Sequence, residues 1–263
     1  MKEYLKIIDY VNNSPWKDDS DIETIIDSAK KVYKDITFNK SRGKLLYRLC
    51  GQTGSGKTSQ LLAAFEEYMK QKEIDPIVLG VRTCYKYHPK YEELLRIYGK
   101  NNIREATNGF ALKCMSYVLK LLIENNFIIL LDITLLSPEY EKYVLDLLNK
   151  NNYVVNYHIM AVNNDISEIF IKKRYLETGR VVSNESKEYF NYILEIGLKY
   201  LCENDLKNMC YVWNAYEKEY KYKGNIKDCF NVFIEQKKLK QDFIYSEEEL
   251  RQAKLKILLD QRS

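Results

Sequence analysis

Eight consecutive residues, Gly51-Gln52-Thr53-Gly54-Ser55-Gly56-Lys57-Thr58, match the pattern Gly-x-x-x-x-Gly-Lys followed by Ser or Thr at every fixed position. Each residue type suits the handling of a triphosphate. Glycines permit positive φ and let main-chain N–H groups approach phosphate oxygens with no Cβ between them. A helix starting near Gly56 would add its N-terminal dipole and its unpaired donors. Lys57 has the reach to meet β- and γ-phosphates, and the Thr58 hydroxyl is a ligand for Mg²⁺. ATP is therefore the expected nucleotide. A guanine reader of the form Asn-Lys-x-Asp is not found; Asn163-Asn164-Asp165 imitates it poorly.

Such a loop must follow a strand and open a helix, and the flanks comply. Residues 44–50 (Lys-Leu-Leu-Tyr-Arg-Leu-Cys) read as a buried strand, and 57–72 as a helix with Leu61, Leu62, Ala64, Phe65 and Tyr68 on its apolar side. Further strands are expected at 76–81, 127–132, 153–162 and 209–213, and helices at 105–125, 138–150, 165–177 and 185–203. Apolar strands alternating with helices of this length argue for an α/β fold, a parallel sheet with crossover helices. Ahead of it, 1–40 reads as an N-terminal helical extension of two helices, broken at Ser14-Pro15; beyond it, 223–263 reads as a charged C-terminal helical segment. Asp132 closes the third strand, at the edge where parallel sheets open onto ligands. It can meet Mg²⁺ or an acceptor hydroxyl there, or simply cap a turn.

Composition excludes more than it assigns. The 263 residues carry a formal charge of +4, too little for a general nucleic-acid binder. The 23 tyrosines, among them Tyr216, Tyr220 and Tyr222 between lysines, fit the edge of an amphipathic strand or helix better than an RNA-stacking surface. Six cysteines without a Cys-x-x-Cys pair, and only His88 and His158 to join them, give no zinc spacing and are expected to be reduced, which suggests the cytoplasm. The N-terminus is too charged for a signal peptide, and no apolar run approaches the ~20 residues of a membrane span.

Beyond the loop, Tyr87-His88-Pro89-Lys90-Tyr91-Glu92-Glu93-Leu94, Asp132-Ile133-Thr134, the strand ending Met160-Ala161-Val162, and Arg174-Tyr175 with Arg180 form a recognisable series. Over about residues 44–215 the chain resembles the zeta-toxin family of bacterial toxin–antitoxin systems, in the P-loop kinase group. The resemblance implies a P-loop kinase-like domain, placed at 41–222, with a parallel sheet flanked by helices. It implies phosphorylation of a sugar hydroxyl of UDP-N-acetylglucosamine with ATP and Mg²⁺, and a small helical antitoxin as partner. Arg174 and Arg180 would clamp the γ-phosphate, a task that arginine forks suit; as bare sequence they could equally be surface cations beside Lys172 and Lys173. Thr134, within the segment that stands for the family's Glu-Gly-Thr, falls on the acceptor side.

The acceptor side also holds the departures. Where the family carries Asp-x-Asp, whose second Asp is the base, this chain reads Gly80-Val81-Arg82. A guanidinium does not deprotonate in a protein, so Arg82 cannot take that role. It is placed instead to pair with Asp132 or to hold an anionic acceptor. Ser116 stands for a sugar-contacting Glu, and Leu136 for an Arg. His88 either anchors its His-Pro turn or takes part in chemistry. Two readings remain: a phosphotransferase acting on a small acceptor, with Asp132 as the available proton acceptor, or a nucleotide-binding regulatory module without catalysis.

Overall fold

The computed structural model describes residues 1–13, 18–178, 182, 184–205, 207–214 and 219–239. Its centre is a six-stranded sheet in the order β2-β3-β1-β4-β5-β6. The strands are β1 (Leu45–Gly51), β2 (Ile77–Leu79), β3 (Ile129–Asp132), β4 (Val154–Ala161), β5 (Met209–Asn214) and β6 (Glu219–Asn225). The first five are parallel, and β6 returns antiparallel to β5. β1 lies between β3 and β4, with Leu49 opposite both Asp132 and His158. Leu46, Leu49, Ile129, Leu131, Val155 and Ile159 are all fully buried, as expected of a parallel sheet covered on both faces.

Helices make the two coverings. On one side lie α1 (Lys2–Asn12), α2 (Ile22–Ile36), α4 (Tyr91–Glu124), α5 (Pro138–Lys150), α7 (Asn184–Asn204) and α8 (Cys229–Lys238). On the other, α3 (Ala63–Gln71) and α6 (Asn164–Thr178) pack a smaller core of Leu49, Leu61, Phe65, Leu130, Met160 and Ile166. Local signals start several of these helices. The Asp21 side chain accepts from the Thr24 N–H to cap α2, whose Ile25, Ser28, Ala29 and Val32 repeat at i, i+3, i+4 and i+7 on the buried face. Ser137 caps α5 with Pro138 in its first turn. The two helices of the N-terminal extension bury Tyr4, Ile7, Val11, Ile25 and Val32 against the main core, chiefly on α4.

The sequence expectation differs from the structure in two places. The helix expected at 105–125 reaches back to the break at Gly99, where φ is 69°, and a short further helix from Tyr91 precedes that break; the polar residues at 99–102 hide the period. β6 runs across the expected 222/223 boundary, where alternating Tyr and Lys form an edge strand on β5 in place of the start of a helix. Tyr220 and Tyr222 belong to it, while Tyr216 lies outside the described residues. Of the C-terminal helical segment, α8 is described and 240–263 are not.

Candidate functional site

The loop after β1 takes its shape from two glycines at positive φ, Gly54 at 79° and Gly56 at 82°. Gly54 is doubly constrained, since a Cβ there would lie 2.4 Å from the Ser167 carbonyl oxygen of α6. Ser167 in turn donates its hydroxyl to the Thr53 carbonyl, and the Gln52 amide donates to Asn164 Oδ1 at 3.2 Å. The loop is thus fastened to the start of α6. Its exit is a π-helical turn, Thr58–Leu62, that runs into α3. Ser55 Oγ and Gln52 Oε1 are buried yet have no hydrogen-bond partner among the described residues. Of the two, only the Ser55 hydroxyl can donate to an anionic ligand; the Gln52 oxygen accepts.

The loop lines one wall of a cleft of about 550 Å³, in which all eight motif residues, Gly51 to Thr58, take part. Asp132 and Thr134 reach it from the end of β3, Arg82 from the turn after β2, and Arg174 from α6. The Asp132 side chain is 5% exposed and is held by both Lys57 Nζ and Arg82 NH2, the latter at 2.7 Å. Burial alone would push its carboxyl up; Lys57 and then Arg82 outweigh burial and hold it below the ordinary carboxylate range. Gly80 lets the turn after β2 lie close against β3, because a Cβ there would stand 2.9 Å from the Asp132 carbonyl oxygen. The Arg174 guanidinium is shifted down, first by burial and then by the cations Arg104 and Arg82. Three arginines therefore converge on the space in front of the loop.

Two expected substrate residues lie elsewhere. Ser116 is fully buried on α4, donates to the Leu112 carbonyl at 2.7 Å, and shares a hydrogen bond with Tyr140 at 3.0 Å. Its position on the helix faces α5, not the cleft. His88 stands in a separate depression; its Nδ1 accepts from the Lys90 N–H at 3.0 Å, its Nε2 lies 3.6 Å from Asp18, and its ring meets Phe110 edge-on. Its partners are those of a turn anchor. Arg180 lies outside the described residues. The sequence reading missed Tyr85, Lys100, Arg104 and Asn108 on the cleft wall. Tyr85 precedes the His-Pro element in a short 3-10 turn, Lys100 and Arg104 follow it on a part of α4 that the sequence expectation left out, and Asn108 lies inside the expected helix without a local signal.

A family model described as Zeta toxin matches residues 29–220, most of the chain and every cleft residue named above. The chain belongs to the zeta toxin family. The fold agrees. A chain from the PezAT chromosomal toxin–antitoxin system of Streptococcus pneumoniae superposes with a TM-score of 0.65 at 18% identity, over 92% of this chain and 98% of that one. A chain from the AvrRxo1-ORF1:-ORF2 complex gives 0.53 at 11% identity, over 96% and 78%. No curated protein matches. This zeta toxin family member keeps the family's P-loop kinase-like α/β architecture, a mostly parallel sheet flanked by helices. None of its helices, among the described residues, is long and apolar enough to cross a membrane.

Proposed function

We propose that the protein is an ATP-dependent phosphotransferase that places the γ-phosphoryl group on a hydroxyl of a small acceptor, either UDP-N-acetylglucosamine or another nucleotide or sugar metabolite. The observation that carries this is the meeting of Lys57, Asp132, Arg82 and Arg174 in one cleft against a complete phosphate loop. Family membership supports a kinase as the general class.

The residues divide the work. Main-chain N–H groups of residues 51–58 face the phosphates, and Ser55 Oγ supplies an unpaired polar atom. Lys57 exchanges its contact with Asp132 for the β- and γ-oxygens. Arg174, and Arg180 with it, neutralise charge on the transferred group. Asp132, released from Lys57 and still steered by Arg82, orients the acceptor hydroxyl and takes its proton late, as the new P–O bond forms and the bond to the leaving ADP oxygen breaks. Mg²⁺ fits this donor set. Among the described residues no cluster of three His, Cys, Asp or Glu side chains is suited to a metal, so Thr58 would hold it together with phosphate oxygens and water. When bound it supplies charge neutralisation.

A second reading, a nucleotide-binding regulatory module without catalysis, is favoured by Arg82 standing where a base is expected and by the two cations on Asp132. Purified protein with ATP, Mg²⁺ and a pool of bacterial metabolites, scored by mass spectrometry, separates the two. A new phosphorylated species supports transfer, and its absence while ATP still binds supports the module. A small helical antitoxin is the proposed partner, supported by the likeness to a chain of a toxin–antitoxin system. The proposed location is the cytoplasm, in keeping with six free cysteines.

A further inference from the structure

The least expected charges in the molecule are deep inside it. Arg48, in β1, is 1% exposed, and Glu141, in the first turn of α5, is fully buried. The guanidinium fork donates to both carboxylate oxygens, NH1 to Oε2 at 2.5 Å and NH2 to Oε1 at 2.8 Å. Neither side chain stops there. Arg48 NH2 also donates to the Thr134 carbonyl at 3.3 Å, and Glu141 Oε1 accepts the Leu136 N–H at 2.6 Å. The irregular segment between β3 and α5 is therefore gripped at two points by one ion pair. Behind it, α7 leaves no slack: a Cβ on Gly197 would lie 2.3 Å from the Leu136 carbonyl oxygen.

What this segment carries is the acceptor wall of the cleft. Thr134 lines the cleft and is 8% exposed, and its Oγ1 is buried with no hydrogen-bond partner among the described residues. Stability does not account for the pair. Taking two charges out of water costs most of what their attraction returns, and apolar residues of similar volume often serve a fold as well or better. What an apolar pair cannot do is hold a carbonyl and an N–H two residues apart in fixed positions.

We propose that Arg48 and Glu141 are positioning residues that fix residues 133–136, and with them Thr134, which lines the cleft beside Asp132. This rests on the phosphotransferase reading for its effect on turnover, but not for its effect on the segment itself. The test is the double variant Arg48→Met/Glu141→Leu. It is expected to keep the parent's melting temperature and ATP affinity, while amide exchange at 133–136 quickens about tenfold or more and kcat falls about tenfold to a hundredfold. A purely structural role would instead move melting temperature and activity together. Arg48→Lys, which keeps the charge but loses the fork, gives the same exchange measurement if the double variant does not fold. Thr134→Val, expected to leave stability and ATP affinity unchanged, should raise the acceptor KM. Unchanged exchange at 133–136, or unchanged kcat in the folded double variant, overturns the proposal. A parent that transfers no phosphoryl group overturns the activity reading alone, because the exchange measurement needs no turnover.

Discussion

Replacing Asp132 by asparagine removes one charge and almost no volume, and three measurable quantities should then move independently. In the ligand-free cleft the carboxylate faces Lys57 and Arg82. Lys57 and Asp132 have only 16% and 5% side-chain exposure. Their contact falls in the range of about 1.5–3 kcal/mol for a hydrogen bond between charged groups. Arg82 is 49% exposed, and solvent screening discounts its share to below about 1 kcal/mol. Asparagine keeps one acceptor oxygen, so the net loss of stability should be about 1–2 kcal/mol. For a chain of this size that is a fall of roughly 2–8 °C in melting temperature. The same contact holds Lys57 away from phosphate in the free protein. Its loss should therefore tighten ATP binding, by up to about tenfold or about 1.4 kcal/mol. Turnover should go the other way, since a missing proton acceptor costs about 10²–10⁴-fold. Calorimetry gives the first two quantities and a coupled ADP-release assay the third. A kcat within about threefold of the parent's would refute the proton-acceptor role. ATP binding weakened about tenfold would instead make Asp132 a Mg²⁺ ligand.

Lys57→Ala should weaken ATP binding about tenfold to a hundredfold with the fold retained, because the side chain faces the cleft rather than a core; equal affinities in calorimetry would remove the phosphate-loop reading. Arg174→Ala should lower affinity for a non-hydrolysable ATP analogue about tenfold more than for ADP, which lacks the γ-phosphate, and equal losses would return Arg174 to the solvated surface. Arg82→Gln should move the acid limb of kcat/KM to higher pH. The sign follows from Asp132: its folded pKa is depressed, so its stabilisation is present above the usual carboxylate value and lost as pH falls through the lower one. Removing a cation raises that lower value, and an unmoved limb would detach Arg82 from Asp132.

The phosphate loop was legible because its chemistry is contiguous: eight residues carry the turn, the donors and the lysine together. Asp132 was legible for a different reason: it ends an apolar run that reads as a parallel strand, and the C-terminal edge of such strands opens onto ligands. The Arg48–Glu141 pair was not, because the partners are 93 positions apart and nothing near either one marks a charge for burial. Ser116 misled through rotation: an alignment position on a long helix does not say which side of that helix it occupies. β6 was half legible: Tyr220 and Tyr222 alternating with Glu219, Lys221 and Lys223 fitted an amphipathic edge but left strand and helix both open, and only pairing with β5 decides for the strand.

The fastening of the loop to α6 sets a length. Ser167 holds the loop through the Thr53 carbonyl, and Arg174 reaches the cleft from the same helix seven residues later. Seven residues are two turns less about 20°, so both side chains project from nearly the same face, about 10.5 Å apart along the axis. The helix is a measuring rod with the loop at its zero and the arginine at its mark. Inserting one alanine between Ser167 and Arg174 would turn the mark by about 100° and carry the guanidinium off the cleft without changing any residue that lines it. Two further alanines, three in all, would bring it back to within about 60° of its old bearing but about 4.5 Å too far along the axis. On the proposed role of Arg174 as a phosphate clamp, the pitch of α6, as much as the identity of residue 174, sets the length of phosphate chain within its reach.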